Sequence, residues 1–217
     1  MFGFERHNPH HDRDVWEHTI TVVDSIRPEP VLRWAALLHD AGKPQCFTIG
    51  DDGLGRFYGH AAQSASITES VLSRLRFDNT SRERIVRLVR YHDMPITAEK
   101  KVVKRLLSKH GEEFARQLIE LHRTDTLGQS QICLQRLAAF EEADAGIDEL
   151  LRGENGFSLK DLAVNGNDMK AIGLKGNAIA KMLQACLDAV LDESVPNDRV
   201  VLIFQGSGDC RNRADIT

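Results

Sequence analysis

Cysteine is sparse and never closely spaced: Cys46, Cys133, Cys186 and Cys210 are scattered, with no Cys-x-x-Cys. That spacing argues against a zinc knuckle or a disulfide framework and suits a reducing compartment. No apolar run approaches the roughly 20 residues of a membrane-spanning helix. The first residues also lack the apolar core of a signal peptide. A cytoplasmic protein with no membrane partner is expected. Internal repeats and low-complexity segments are absent. So is a strong charge of one sign, because the net charge is -4, and the molecule as a whole is no polyanion binder. The charge is uneven, however. Arg82 to Lys109 holds nine Lys/Arg against three Asp/Glu, and from Glu141 to Glu193 acids outnumber bases by eleven to five.

With 217 residues, the chain is long enough for one large or two small domains with a proper core. Its apolar residues recur at helical spacing, which predicts an all-α fold. Helices are expected near Arg13–Ile26, from Pro30 to His39-Asp40, from His60 to about Arg76, and over Arg82–His92, capped from Asn79-Thr80-Ser81. Further helices are expected near Ala98–Lys109, Glu112–Thr126, Leu134–Leu151 and Ala178–Asp192, with a capping box at Ser158–Asp161. At most one short hairpin is expected, near 47–58, around Gly50-Asp51-Asp52-Gly53. It is either a lid or a plain connector.

The helices organise around Leu37-Leu38-His39-Asp40-Ala41-Gly42-Lys43-Pro44. Gly42 suits a left-handed position after a helix, and Pro44 prevents a restart. Leu32, Ala35 and Ala36 form an apolar stripe whose next member is His39. The pattern recurs elsewhere. Val15 and Val22 share a face with His18. His60 begins a stripe with Ser64, Ile67, Val71 and Leu75. Ile85, Leu88 and Val89 lead to His92, and Phe114, Leu118 and Leu121 lead to Asp125. Five helices thus put a metal-ligand residue type on the face that should pack. Burying such groups uncompensated costs several kcal/mol each, roughly, and a shared metal centre removes that cost. Four histidines with two aspartates suit one or two divalent ions of Mn, Fe, Co, Ni or Zn better than Ca, with Mg also compatible.

This ordered set, a His, a His-Asp pair, two more His and an Asp, resembles the HD-domain superfamily of metal-dependent phosphohydrolases. The resemblance implies that His18, His39, Asp40 and Asp125 hold one metal, and that Asp40, His60 and His92 hold a second. Asp40 is then the bridging carboxylate. Lys43 is similar to the family's phosphate-contacting lysine; its bland alternative is a solvated charge after a helix end. The entry His7-Asn8-Pro9-His10-His11…Asp14-Val15-Trp16-Glu17-His18 resembles bacterial tRNA nucleotidyltransferases, the CCA-adding enzymes. The Asp161-to-Asp168 block with Gly173-Leu174-Lys175 also resembles the helical region behind their HD domain. The expected division is an HD domain over 1–128, a C-terminal helical region over 129–205 and a flexible tail over 206–217. The nucleotidyltransferase head is expected to be missing. Its Gly-Ser loop and Asp-x-Asp have counterparts only in Gly206-Ser207 and Asp12-Arg13-Asp14, in the wrong order.

The resemblance implies a phosphomonoesterase or phosphodiesterase acting on nucleotides or RNA-end phosphates, with Asp40 and Lys43 in the chemistry. Arg56, Arg84, Arg87, Arg90, His122 and Arg123 are candidate substrate contacts or ordinary surface residues. Arg84, Arg87 and Arg90 recur at helical spacing and could track a phosphate backbone. His110 suits a helix C-terminus. The expected partners are a nucleotide or phosphate ester, tRNA or RNA ends, and a second copy in a homodimer. The alternatives are a non-catalytic RNA-binding module and a partner subunit for a separate nucleotidyltransferase head.

Overall fold

The computed structural model describes residues 14–152 and 158–204. The histidines at 7, 10 and 11, Gly206-Ser207 and the expected tail lie outside the described residues. The fold is all-α. Helices α1 (Val15–Ser25), α2 (Pro30–Leu38), α3 (His60–Arg74), α4 (Asn79–Tyr91), α5 (Lys100–His110), α6 (Glu112–Leu127), α7 (Leu137–Arg152), α8 (Gly166–Ala171) and α9 (Asn177–Leu191) follow in order. Short 3-10 turns stand at Lys43–Gln45, Gln131–Arg136 and Leu159–Asp161. The sheet among the described residues is the expected hairpin: β1 (Thr48–Ile49) pairs antiparallel with β2 (Gly55–Arg56). No described helix is long and apolar enough to cross a membrane.

The chain forms two compact units. The described part of one comprises residues 14–98 and 112–144; the other comprises 99–111, 145–152 and 158–204. In the first, α1 packs on α2 and α6, and α4 packs on α2, α3 and α6. Asp14 starts α1 with a capping box, accepting from the Glu17 amide at 2.7 Å. Pro30 occupies the first turn of α2, where a missing amide hydrogen costs nothing. The cap of α4 is Asp78, which accepts from the Ser81 amide at 2.9 Å. It stands one residue ahead of the expected Asn79-Thr80-Ser81, and those three residues are helical. In the second unit, Val164, Met169, Cys186 and Leu202 form a buried core, and Leu162, Ile172 and Met182 pack against it.

Two local expectations are corrected. Gly42 is right-handed, with φ -83° and ψ -13°, so handedness does not demand a glycine there. Proximity does: a Cβ would lie 2.7 Å from the Ser64 amide nitrogen and 2.8 Å from the His60 carbonyl oxygen. In α3 the buried row is His60, Ser64, Ala65, Thr68 and Leu72, whereas Leu75 is 51% exposed. Thr68 can sit inside because its hydroxyl donates to the Ser64 carbonyl at 2.7 Å. A stripe drawn through apolar residues alone misses such a self-satisfied position.

Candidate metal centre

Each ligand-type residue lies at the helix position expected from the sequence. His18 lies among the buried residues of α1, and His39 caps the C-terminus of α2, one turn beyond Ala35 and Ala36. His60 is the first residue of α3, and His92 caps α4 one turn beyond Leu88 and Val89. The four histidines and Asp40 are buried. Asp125, four residues past Leu121, keeps a side chain 19% exposed.

The four histidines converge on the Asp40 carboxylate. His39 Nε2 lies 3.3 Å and His18 Nε2 3.8 Å from Oδ2. His92 Nε2 lies 3.6 Å and His60 Nε2 3.7 Å from the other oxygen, Oδ1. Asp125 Oδ1 completes the first side, 2.8 Å from His18 Nε2 and 3.4 Å from His39 Nε2. Two groups result, His18–His39–Asp40 and Asp40–His60–His92, and in each the ligand atoms lie within 4.8 Å of one another. Asp40 belongs to both.

The back of every ring is fixed in the same way. Nδ1 donates to a main-chain carbonyl in each case: His18 to Gly128 at 2.8 Å, His39 to Ala36 at 2.7 Å, His60 to Phe57 at 2.9 Å and His92 to Val89 at 2.7 Å. A neutral imidazole carries one N–H. With that hydrogen on Nδ1, all four Nε2 atoms present lone pairs to one another and to two carboxylates. His60 Nε2 and His92 Nε2 stand 3.1 Å apart, and His39 Nε2 has no hydrogen-bond partner among the described residues. Lone pairs and anions crowded in a buried space attract a positive charge, a proton or a metal ion. Nδ1 bonded to a carbonyl with Nε2 turned inward is the outer-shell arrangement of metal-ligating histidines. The donor set fits divalent transition metals.

The charges tell the same story. Burial alone would lower the pKa of His39, but the charge of Asp40 and the contacts with Asp125 and Asp40 carry it up to about 10. Burial would raise the carboxyl of Asp40; the charges of His39 and Lys43 hold it well below its usual value. Asp125 is also held low, against burial, by the contacts with His18 and His39. A cluster that draws a proton onto a buried histidine is one that a metal can occupy in its place.

Lys43 is buried rather than solvated. Its Nζ donates to Asp40 Oδ2 at 2.6 Å and lies 5.6 Å from the centre of the Phe57 ring. The other candidates are held in contacts of their own. Arg56 pairs with Asp52 at 2.8 Å. Arg84 pairs with Glu113 and, at 3.8 Å, with Glu29. The Arg87 guanidinium lies 4.1 Å over the Phe114 ring, and Arg123 pairs with Glu120 at 3.1 Å. His122 is buried 5.6 Å from the Phe140 ring, and burial pushes its pKa down to about 4. His110 is the last residue of α5, as its sequence position suggests.

Two supporting residues escaped the sequence reading. Gln129 donates to Asp125 Oδ2 at 2.8 Å; its spacing four residues after Asp125 was the available signal. Gly128 lies so close to His18 that a Cβ there would stand 2.8 Å from Nδ1. Nothing in the sequence marks that approach.

The fold and site thus define an all-α protein with a buried cluster of four histidines and two aspartates. The chain belongs to the family described as tRNA nucleotidyltransferase domain 2, putative, whose model matches residues 59–204. It is 31% identical over 171 residues to an A-adding tRNA nucleotidyltransferase of Deinococcus radiodurans, covering 70% of this chain and 39% of that protein. It is 32% identical over 151 residues to a CC-adding tRNA nucleotidyltransferase of Thermus thermophilus, covering 65% and 34%. A multifunctional CCA protein of Dechloromonas aromatica is 38% identical over 96 residues, covering 42% and 23%. The chain therefore spans well under half the length of these relatives.

Proposed function

We propose that the chain is a metal-dependent phosphohydrolase of the HD type, acting on nucleotides or on the phosphates of RNA ends. The observation that carries this reading is the convergence of four Nε2 lone pairs and two carboxylates, with every Nδ1 tied to the main chain. Asp40, shared by both groups, is the residue through which two cations would be coupled, and His18, His39, His60, His92 and Asp125 complete the two sets. A bound divalent metal supplies Lewis acidity toward water and phosphoryl oxygens. The chain supplies the rest. The carbonyl-anchored rings hold their donor atoms without reorganisation, burial excludes bulk water, and the Lys43 ammonium, paired with Asp40 Oδ2, is the charge beside the ligands that would meet a phosphoryl oxygen. The partly exposed Asp125 marks the side from which a phosphate ester enters. A functional division at residue 128 is part of this proposal, since all six ligands lie at or before Asp125, although the compact unit that holds them extends to residue 144.

Metal analysis of protein purified without chelator, followed by a panel of phosphate monoesters, diesters and RNA ends, tests the reading. Bound transition metal with hydrolysis that a chelator abolishes supports it. Stoichiometric metal with no hydrolysis of any ester rejects the enzyme.

The second reading, an RNA-binding module or partner subunit of a nucleotidyltransferase head, is favoured by relatives named for adding nucleotides to tRNA. Under it, the basic side of α4 with Arg84, Arg87 and Arg90 meets phosphates, and oligonucleotide affinity falls steeply with salt. Affinity insensitive to salt, or to Arg84→Ala combined with Arg87→Ala, removes that reading.

A further inference from the structure

The positive charge of α5 is put to two uses within the second compact unit. Lys100 and Lys104 pair with Glu193, and Lys101 pairs with Glu99. Arg105 and Lys109, four residues apart and so on one face of the helix, line a cavity of about 780 Å³. Lys160, from the turn at Leu159–Asp161, joins them. All of the lining residues belong to that one unit. Three cations stand there against one lining carboxylate, Asp188, and Arg105 also pairs with Asp192 outside the lining. Like charges four residues apart on a helix repel, so this arrangement costs stability until an anion arrives. The rest of the lining is apolar. Leu187 and Leu191 are buried on α9, but Leu159 is 43% exposed, an apolar side chain left in solvent beside the charges. Two acceptors complete the cavity. The Gln184 amide donates to Asp188 Oδ1 at 3.0 Å, which leaves the Gln184 carbonyl oxygen and the second Asp188 oxygen for a ligand's donors.

We propose that this cavity binds a nucleotide with two or more phosphates, at a site that shares no residue with the metal centre. Its volume falls in the usual range for small-ligand pockets, and its lining has their character, apolar with a few convergent polar groups. Cations alone would suit any phosphate, and leucines alone any apolar group. Both together, with acceptors, suit a molecule that carries a flat base at one end and a polyanion at the other. The base lies against Leu159, Leu187 and Leu191. A ribose hydroxyl or an exocyclic amine donates to Asp188 or Gln184. The phosphates meet Arg105, Lys109 and Lys160. The proposal is independent of the chemistry assigned to the first unit, because none of these contacts needs a metal ion.

The test is calorimetric titration of the full chain with ADP and, separately, with inorganic pyrophosphate, both in excess chelator so that no metal-held phosphate contributes. The wild type should bind one equivalent of ADP. Lys109→Ala combined with Lys160→Ala should weaken both ligands by about tenfold, the scale of losing two solvent-exposed charge contacts. Leu159→Ser should weaken ADP and leave pyrophosphate unchanged, because only the base uses the leucines. All three side chains are exposed, so these changes leave the core intact. Lys170→Ala, which removes an exposed charge from α8 outside the cavity, should change neither ligand. Failure of ADP to bind overturns the proposal, as does binding that the lysine pair leaves unchanged. Equal losses for ADP and pyrophosphate in Leu159→Ser would reduce the cavity to a phosphate site and reject the nucleotide. Binding of a 5′-phosphorylated RNA oligonucleotide without binding of ADP would likewise reject it, in favour of an RNA backbone surface.

Discussion

His60 Nε2 and His92 Nε2 stand 3.1 Å apart with their Nδ1 atoms bound to the carbonyls of Phe57 and Val89. Two acceptors at hydrogen-bond distance store a repulsion that a bound cation converts into attraction. Metal should therefore stabilise the fold. At a metal concentration 100 times its dissociation constant, the gain is about 2.7 kcal/mol. For a chain of this size, that corresponds to a melting temperature about 5–10 °C higher. Scanning fluorimetry of metal-loaded and chelator-stripped protein measures it. Identical melting curves would mean that this contact carries no such strain.

Asp40 is common to both groups, so Asp40→Ala should remove both metals and all hydrolysis together. It also leaves the buried Lys43 ammonium without its partner, a loss of about 3–5 kcal/mol. Metal content by mass spectrometry and midpoints of urea unfolding check the two effects separately. A variant that keeps one metal would show that the groups do not depend on a shared carboxylate.

Two glycines should resist alanine for steric reasons. At Gly42 the new methyl would meet the Ser64 amide nitrogen and the His60 carbonyl oxygen, both backbone atoms of α3 that cannot swing aside. The expected loss is about 1–3 kcal/mol, with weakened metal binding because His60 is displaced. At Gly128 the methyl would press on the His18 ring. Gly53, whose Cβ would meet nothing within 4 Å, is the control for backbone strain alone, since its φ is +75°. Equal losses at Gly42 and Gly53 would count against close packing as the cause.

The metal-free chain should be most stable near pH 6.5. His39 keeps its proton to about pH 10 when folded but releases it near 6.5 when unfolded. Its contribution is complete below 6.5 and is lost as the pH rises through 10. His122 acts in the opposite sense. Burial lowers it to about 4, so the unfolded chain binds more protons between 6.5 and 4 and stability declines over that interval. Asp40 and Asp125, held well below 3.8, give up their contributions in stronger acid. A metal on His39 Nε2 replaces the proton, so the loaded protein should lose little on the alkaline side. Urea midpoints from pH 4 to 10, with and without metal, provide the check. A metal-free maximum at pH 9 would contradict the balance of charges described here.

Much of the fold was legible because its signals are local. Pro30 and the apolar repeats place α1, α2, α4 and α6 within a few residues. The Gly50–Gly53 turn foretold the hairpin. In α3 the repeat misled, because Thr68 satisfies its own hydroxyl and Leu75 remains in solvent. The six inward-pointing residues were also visible, since a histidine or aspartate that continues an apolar stripe shares its direction.

What the sequence by itself determined is therefore the helices, their buried faces and the residue types at the ends of those faces, all properties of neighbours within a turn or two. Only the tertiary structure decided how those ends meet. Gly128 comes to His18 from 110 residues away, and Gly42 comes against the first turn of α3. The division of Asp40 between two pairs of rings, and the choice of Oδ2 by Lys43, arise only when helices that share no local signal pack together. Hydrogen-bond direction and close approach are short-ranged in space yet independent of separation along the chain, and for that reason no periodicity records them.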